Sequence, residues 1–314
     1  MNNFSLKLLL AALVVLPVMA FSVDTKDTRM LSQPAISGNH IAFIYAEDLW
    51  IANTDGSQPR RLTVDEGIES SPIFSPDGKL IAFSAQYEGN TDVYVIPSEG
   101  GVPKRLTWHP GVDFVRGFTP DGKSVLFATQ RATFSNRYAQ LFTVPVTGGH
   151  ETQLVIPNAY HASYSPDGKW MAYTPIPDAF KQWKHYRGGS IANIVLFSFA
   201  DNSVVKIPQP TGGCNDTQPI WLGDKIYFRS DRNGEFNLFC YDIASKETKQ
   251  LTDFKDFPIL YATGGDGKIV FERAGYLNIF DPATASAKKL TIGIAADLLE
   301  LRPDRKSTRL NSSH

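Results

Sequence analysis

The sequence is poor in cysteine. Its 314 residues include only two, Cys214 and Cys240, so one disulfide is the most that can form. Small exported domains that depend on disulfides carry several pairs, and a single pair is no such framework. A fold whose stability depends on several disulfides is therefore excluded. The sequence leaves open whether Cys214 and Cys240 pair.

The chain also lacks an excess of charge of either sign. Lys and Arg together number 31, Asp and Glu number 32, and the formal net charge is −1. A protein that binds nucleic acid or an anionic membrane surface through its overall field needs a basic excess. We therefore expect no nucleic-acid partner. The 42% hydrophobic content suffices for the core of one large β domain or two smaller domains.

Long hydrophobic runs are absent as well. The first apolar run, Leu8 to Val18, is shorter than the roughly twenty residues that a membrane span requires. Lys7 precedes this run and the small Ala20 follows it, which is the order found in a secretory signal. Residues 1–20 are predicted to be a signal peptide cleaved near Ala20, and the mature protein to be periplasmic or secreted without a membrane span. An anchoring helix is the alternative.

The motifs of hydrolytic and metal chemistry are missing too. The sequence contains no G-x-S-x-G, H-E-x-x-H or C-x-x-C motif. Its six histidines are scattered without metal-ligand spacing, and we expect His109 and His161 to lie on solvated loops. The prediction is a chain with no catalytic residue, no cofactor and no metal ion.

One segment matches a phosphate-binding loop. "GFTPDGKS", Gly117 to Ser124, fits G-x-x-x-x-G-K-[ST], but the run "VLFATQ" that follows predicts a strand and not a helix. Pro120 has no N–H to offer a phosphate. The same P-D-G-K pattern recurs in "FSPDGKLIAF" and "YSPDGKWMAY". We therefore interpret the match as one copy of a repeated turn.

Two smaller patterns also have structural explanations. Asp231, Asn233 and Glu235 alternate like part of a calcium loop, but a hairpin turn with left-handed Asn233 and Gly234 explains them. Paired glycines recur at expected blade turns, where we predict that they supply positive φ angles. These pairs begin at Gly100, Gly148, Gly188, Gly212 and Gly264.

What the sequence does contain is a repeat. An aromatic residue recurs in the strand that follows each turn, at Phe43, Phe83, Phe127, Tyr173, Phe228 and Phe271. The intervals are 40, 44, 46, 55 and 43 residues. A period near forty with four short strands per copy is typical of propeller blades, which bury their apolar faces against one another around a ring. The turn "SPDG" and a later Leu-Thr pair recur at fixed places in several copies.

The predicted fold is thus all-β, a six-bladed β-propeller of four antiparallel strands per blade spanning residues 30–292. The first copy contains its own innermost strand near "QPAIS", and the last copy ends with its fourth strand at "AKKLT". We therefore expect closure by face packing, without a strand swap, and a weaker seam between blades one and six. Residues 293–303 are predicted to begin a linker, and residues 304–314, "DRKSTRLNSSH", to be an adapter-derived tail; a natural polar terminus is the alternative.

Several segments together resemble a known family. "DLWIANTDGSQPRRLT", "KHYRGG" and "DTQPIWLGDKIYFRSDRNGEFNLF" look like the amino-terminal six-bladed propeller of tricorn-type serine peptidases, and the resemblance runs from about Met30 to Leu301. It implies that the parent protein is a multidomain hydrolase whose catalytic residues lie in later domains, before which this chain is truncated. No catalytic residue can be carried onto this chain.

The longest interval of the repeat contains a candidate binding loop. "TPIPDAFKQWKHYRGGSIAN" holds a cationic and aromatic cluster that could grip a peptide or its carboxylate. The cluster consists of Lys181, Trp183, Lys184, His185, Tyr186 and Arg187. The structural alternative is that Trp183 and Tyr186 pin the loop to its own blade while the charges face water.

The sequence supports two alternative functions. The first is a non-catalytic propeller that filters or guides peptides or unfolded polypeptide to an active site in the missing domains of the same parent protein. The second is a stand-alone periplasmic protein-binding propeller of the TolB kind. TolB-like proteins place an α/β domain before the ring, and none fits between Ala20 and Met30. The sequence does not give the oligomeric state.

Overall fold

A computed structural model describes residues 25–133, 137–178 and 185–296. These residues form 24 β-strands in six four-stranded sheets, and no helix occurs among them. The predicted all-β class and the six blades of four antiparallel strands are confirmed. The expected signal peptide (1–20) and tail (304–314) lie outside the described residues. In the described part of the chain no apolar helix reaches the length of a membrane span.

The strands of each blade pair in chain order, from the innermost strand to the outermost. Blade 1 contains β1 Ser32–Ser37, β2 His40–Tyr45, β3 Asp48–Asn53 and β4 Arg60–Arg61. Blade 2 contains β5 Glu69–Phe74, β6 Leu80–Ala85, β7 Asp92–Pro97 and β8 Lys104–Arg105. Blade 3 contains β9 Asp113–Phe118, β10 Ser124–Thr129, β11 Gln140–Pro145 and β12 Thr152–Gln153.

The second half of the ring follows the same plan. Blade 4 contains β13 Ala162–Tyr164, β14 Trp170–Tyr173, β15 Val195–Ser198 and β16 Val204–Lys206. Blade 5 contains β17 Asp216–Leu222, β18 Lys225–Ser230, β19 Asn237–Asp242 and β20 Thr248–Gln250. Blade 6 contains β21 Ile259–Gly265, β22 Lys268–Arg273, β23 Tyr276–Asp281 and β24 Ser286–Lys289.

The antiparallel order defines two faces of the ring. All innermost strands begin at one face, which also carries the connections between second and third strands and those between blades. We call this the start face. The opposite face, here the turn face, carries the connections from first to second and from third to fourth strands.

The repeated "SPDG" turn is held by its own side chains. In blade 2, the Gly78 N–H donates to the Ser75 carbonyl at 2.8 Å and the Ser75 hydroxyl donates to Asp77 at 2.7 Å. Gly78 has a φ of 71°, a left-handed angle that glycine adopts without strain. Blades 3 and 4 repeat these bonds. The phosphate-loop match is one of these turns, because Gly117 lies in β9 and Ser124 begins β10.

The Leu-Thr pair also has a physical role. In every blade, the N–H of the Leu or Ile that follows the fourth strand donates to a carbonyl near the start of the third strand. The donor and acceptor pairs are Leu62 and Leu49, Leu106 and Val93, Leu154 and Leu141, Ile207 and Ile194, Leu251 and Leu238, and Leu290 and Leu277. In blades 1, 2 and 5 the hydroxyl of the Thr that follows accepts the N–H of the same third-strand residue, as Thr63 does from Leu49 at 3.0 Å.

Six apolar clusters lie between the blades. Phe83 packs with Ala42 and Ile44 of blade 1, while Phe127 packs with Ala82 and Val95 of blade 2. Each of the other four aromatic residues of the repeat likewise contacts the preceding blade. All six are buried. We call these six aromatic residues the aromatic column. The prediction that the aromatic column forms the core between blades is confirmed.

The ring closes without a strand swap, as predicted, because each sheet contains four consecutive strands. A clasp formed by residues 27–31 and 289–294 joins blades 1 and 6. The Thr28 N–H donates to the Ile292 carbonyl at 2.8 Å, and the Ile294 N–H donates to the Thr28 hydroxyl at 2.8 Å. Lys289 pairs with Asp27 at 2.6 Å. Propeller packing thus extends to the buried Ile294, two residues beyond the expected boundary at 292.

The glycine prediction is wrong at two of the five pairs. Gly188 and Gly264 do not have left-handed φ angles. Gly264 and Gly265 instead allow blade 6 to approach its neighbours. A Cβ on Gly264 would lie 2.5 Å from the Ile220 side chain of blade 5, and one on Gly265 would lie 2.1 Å from the Ile36 carbonyl of blade 1. Close packing around the axis therefore explains this pair.

Candidate functional site

The innermost strands surround a central channel. A cavity of about 430 Å³ is lined by residues of all six blades. One residue from each blade illustrates the wall: Ile36, Ile73, Gly117, Ser163, Ile220 and Thr263. A site built on six rigid strands is fixed in shape by the whole ring, so the channel is the candidate functional site of this chain.

Left-handed bulges shape the channel wall. Gln33, Ser71 and Gln218 each precede a proline in an innermost strand and have φ between 48° and 55°. The strand register shifts at each of these positions. The Gln33 side-chain oxygen accepts the Ser71 N–H at 2.7 Å, and that of Gln218 accepts the Ala262 N–H at 2.9 Å. These bonds join the innermost strands of neighbouring blades.

Arg116 occupies the corresponding bulge of blade 3, where the register with β10 shifts. Its Nε donates to the Tyr160 carbonyl at 2.6 Å, and its guanidinium lies 4.4 Å from the centre of the Tyr160 ring. Burial raises the pKa of Tyr261 of blade 6, and the positive charge of Arg116 acts in the opposite direction. Arg116 therefore places a fixed positive charge in the lumen.

A second polar group lies at the start-face end of the channel. The Asp178 carboxylate is 3.4 Å from His161 Nε2 and 3.4 Å from Arg229 Nη2. The Thr217 hydroxyl donates to the other oxygen of Asp178. Burial acts to raise the pKa of Asp178, but the nearby His161 and Arg229 outweigh it and the net shift is downward. Burial lowers the pKa of His161, against the attraction of Asp178.

A third group of polar side chains joins blade 6 to blades 1 and 2. The Gln33 N–H donates to Glu272 of blade 6 at 3.2 Å. The Ser71 side chain of blade 2 lies near Tyr261 of blade 6 and counteracts the burial that raises the pKa of Tyr261. Tyr261 thus reaches past blade 1 and narrows the channel. Of the side chains in these three groups, Arg116, His161 and Tyr261 line the cavity and could hydrogen-bond the peptide groups of an extended chain.

Part of the candidate loop predicted from the sequence lies outside the described residues, namely Lys181, Trp183 and Lys184. Of the remainder, Arg187 pairs with the buried Asp231 at 2.7 Å, and the Tyr186 carbonyl accepts an N–H of Asn215 at 3.0 Å. His185 is exposed and lies 4.0 Å from Glu235. These contacts tie the loop to blade 5. A peptide-binding role for His185, Tyr186 and Arg187 stays a prediction.

The calcium-like segment is a turn. Both Asp231 carboxylate oxygens accept hydrogen bonds from Asn215, at 2.7 and 2.9 Å. Gly234 has a left-handed φ of 113°, but Asn233 does not, so that half of the turn prediction is wrong. Among the described residues, no three His, Cys, Asp or Glu side chains converge as metal ligands.

The expectation for His161 is wrong. Its side chain is 12% exposed in the channel wall beside Asp178 and is not on a solvated loop. His109 is half-buried and its Nδ1 accepts the Gly111 N–H at 2.9 Å. Cys214 and Cys240 are free and buried. The sequence did carry one overlooked signal, since Arg116 is an ionisable residue within the innermost strand "DFVRGF".

Comparison with known proteins agrees with this architecture. The family model for the tricorn protease N-terminal beta propeller domain matches residues 28–286. A tricorn protease homolog of Saccharolobus solfataricus is 26% identical over 274 residues, which cover 86% of this chain and 25% of that protein. This chain thus spans about a quarter of that relative's length.

Solved structures show the same fold. The crystal structure of the tricorn protease superposes with a TM-score of 0.77 at 25% identity, covering 88% of this chain and 27% of that one. A putative TolB from Agrobacterium tumefaciens shares the propeller fold, with a TM-score of 0.53 at 21% identity over 83% of this chain and 80% of that one. The chain belongs to the tricorn protease N-terminal β-propeller family.

Proposed function

We propose that this propeller is a non-catalytic part of a tricorn-like protease and that its channel admits extended peptides while excluding folded proteins. The observation that carries the proposal is the cavity of about 430 Å³ at the axis, lined by all six blades. An extended chain advances about 3.3 Å per residue and is narrow enough to be held by contacts from several sides at once. A folded domain is far larger than such a cavity.

The chemistry of the wall supports a peptide as the ligand. Arg116 offers a cationic donor, and Ser163, Gln218 and Thr263 bring polar donors and acceptors to the lining. Peptide groups present both an N–H and a C=O at every residue except proline, so a wall with both kinds of partner suits many sequences. Hydrolysis is proposed to take place in other domains of the parent protease, and export remains our proposal for its location.

A stand-alone TolB-like binding platform is the second candidate. It is favoured by the coverage of the A. tumefaciens protein, 80% of which aligns with this propeller. A platform would bind a folded partner on its surface and would not depend on the lumen. The two candidates therefore differ in whether blocking the channel affects binding.

Gly117 allows the channel to be blocked with little disturbance. It lines the cavity, its φ is not left-handed, and a Cβ placed on it meets no atom within 4 Å. We expect Gly117→Trp to fill the lumen and to raise the Kd of a fluorescein-labelled, flexible dodecapeptide at least tenfold in fluorescence anisotropy. The control Val204→Trp adds the same ring on the exposed outermost strand β16 and should leave the Kd unchanged.

Equal peptide affinity for the wild type and Gly117→Trp would sink the channel proposal and favour a surface platform. Circular dichroism and the thermal midpoint of each variant establish that the ring is intact.

A further inference from the structure

Arg116 differs from most arginines of this chain in its partners. It is half-buried in the channel wall, and no carboxylate of the described residues forms an ion pair with it. The arginines that do pair with Asp or Glu are Arg60, Arg61, Arg105, Arg131, Arg187, Arg229, Arg232 and Arg273. The positive charge of Arg116 is therefore not neutralised within the described part of the propeller.

The guanidinium of Arg116 is nevertheless held in place. Its Nε donates to the Tyr160 carbonyl at 2.6 Å, and its Nη1 donates to the Val115 carbonyl at 3.2 Å. The rings of Tyr160 and Phe114 lie 4.4 and 5.4 Å from the guanidinium carbon. These partners are all neutral, and Nη2 donates to none of the described residues. A fixed guanidinium with an unused donor is preorganised to bind an anion.

The rest of the cavity lining does not cancel this charge. Asp266 is the one carboxylate among the described lining residues, and it lies on the turn face, in the connection between β21 and β22. Arg116 lies within β9. His161 also lines the cavity, and burial lowers its pKa, which favours the neutral imidazole. Asp178 and Glu272 do not line the cavity. The interior of the lumen is thus positive.

One further donor accompanies Arg116. The Tyr261 side chain of blade 6 lines the same cavity, and the charge of Arg116 acts to lower its pKa, against the effect of burial. Burial keeps the Tyr261 hydroxyl protonated, so it can donate a hydrogen bond to an anion. A guanidinium and a hydroxyl that face one lumen are suitable partners for a carboxylate.

We propose that Arg116 is an anion-binding site that makes the channel selective for acidic peptides, whose Asp or Glu side chains it binds through their carboxylates. This inference rests on the proposed function and adds the class of peptide that the channel takes. Side-chain carboxylates can occur at many positions of an extended chain, whereas a terminal carboxylate occurs once. A chain that lies along the axis therefore meets Arg116 mainly through its side chains.

The first test compares two labelled dodecapeptides whose ends are both blocked. They differ only at three central positions, which are Glu in one peptide and Gln in the other. We expect the wild type to bind the Glu peptide about tenfold more tightly in fluorescence anisotropy, because a charge-assisted hydrogen bond replaces a neutral one. Arg116→Gln should abolish this preference, and Arg116→Lys, which retains the charge, should keep part of it.

The matched control is Lys206→Gln, which removes one positive charge from the exposed strand β16 and should leave the preference unchanged. Equal affinity of the wild type for both peptides would overturn this inference. So would a gain in affinity that appears only when the Gln peptide has a free carboxyl terminus. If Gly117→Trp weakens both peptides equally in that case, the proposed function stands and this inference fails.

A second measurement needs no peptide. Gly117→Cys places a thiol in the lumen next to Arg116, and its alkylation rates are measured with iodoacetate, an anion, and with the neutral iodoacetamide. The ratio of the two rates cancels any change in thiol ionisation. Adding Arg116→Gln should lower the ratio of iodoacetate to iodoacetamide severalfold, and should not change it for the exposed Val102→Cys. An unchanged ratio in the lumen would overturn the anion site, whether or not peptides bind.

Discussion

At the residue scale, one buried carboxylate differs from its counterparts in other blades. Asp113 and Asp216 begin the innermost strands of blades 3 and 5, and each contacts an arginine two residues after the second strand, Arg131 and Arg232. Glu69 has the same position in blade 2, but Tyr87 replaces the arginine and donates to it at 2.6 Å. Burial without a cationic partner raises the pKa of Glu69 to about 7.

Glu69 should therefore make stability depend on pH. Its pKa is higher in the folded protein than the ordinary value of 4.5, so folding favours the protonated form. This contribution is fully present below pH 4.5 and is lost as the pH rises through about 7. The loss is on the order of 3 kcal/mol. Urea unfolding at pH 5 and pH 8 measures it.

The matched variant is Glu69→Gln, which cannot titrate. The difference in unfolding free energy between pH 5 and pH 8 should shrink in this variant by the contribution of Glu69. An unchanged difference would show that another group controls the pH dependence.

The aromatic column sets a second expectation at this scale. Phe127 is fully buried between blades 2 and 3. Phe127→Ala should lower the free energy of unfolding by about 3 to 5 kcal/mol, because the blades cannot collapse fully into the space left. Phe257→Ala, at an exposed position, serves as the control and should change it by less than about 0.5 kcal/mol. A small loss in Phe127→Ala would argue against the column as core.

The sequence predicted the aromatic column but not the residues that line the channel. Phe43 and its counterparts recur at a fixed place in the repeat, so their burial follows from local pattern alone. The contact of Ser71 with Tyr261 joins blades 2 and 6, which come together only when the ring has closed. His161 was misassigned for the same reason, since Asp178 and Arg229 belong to other parts of the sequence.

At the scale of elements, the clasp changes the expectation for the seam. Outside the clasp, blades 1 and 6 are joined by apolar contacts and by hydrogen bonds such as that from the Gln33 N–H to Glu272. Thr28 adds backbone and side-chain bonds to Ile292 and Ile294, and all three residues are buried. Whether this seam is weaker than the other junctions stays a prediction. The clasp does add hydrogen bonds to it.

The clasp can be tested by one isosteric change. Thr28→Val preserves the shape of the side chain but leaves the buried Ile294 N–H without its acceptor, which should cost about 1 to 3 kcal/mol. Hydrogen exchange at the Ile294 amide should accelerate more than exchange in blade 3. Thr147→Val, at an exposed turn, is the control and should change neither quantity. Unchanged exchange at Ile294 in Thr28→Val would show that the clasp does not secure the seam.

At the scale of the whole molecule, sixfold repetition places a channel on the axis. The six innermost strands together enclose a lumen whose wall carries groups such as Arg116 and His161. The fold and the family were both accessible from the repeat and from segments such as "DTQPIW". The lining of the lumen was not, because it depends on bulges that sequence patterns did not reveal.

We propose that the lumen admits extended chain and excludes folded protein, and a single reactive thiol in the lumen tests this directly. The native thiols should not interfere with a cysteine probe, because Cys214 and Cys240 are buried and burial raises the pKa of both. Gly117→Cys places a thiol in the lumen, and Val102→Cys places one on the exposed surface.

Each variant is treated with a flexible iodoacetyl peptide and, separately, with a small folded protein carrying the same group, and mass spectrometry measures the modified fraction. We expect Gly117→Cys to react with the peptide and not with the folded protein, and Val102→Cys to react with both. Reaction of Gly117→Cys with both reagents, or with neither, would contradict it.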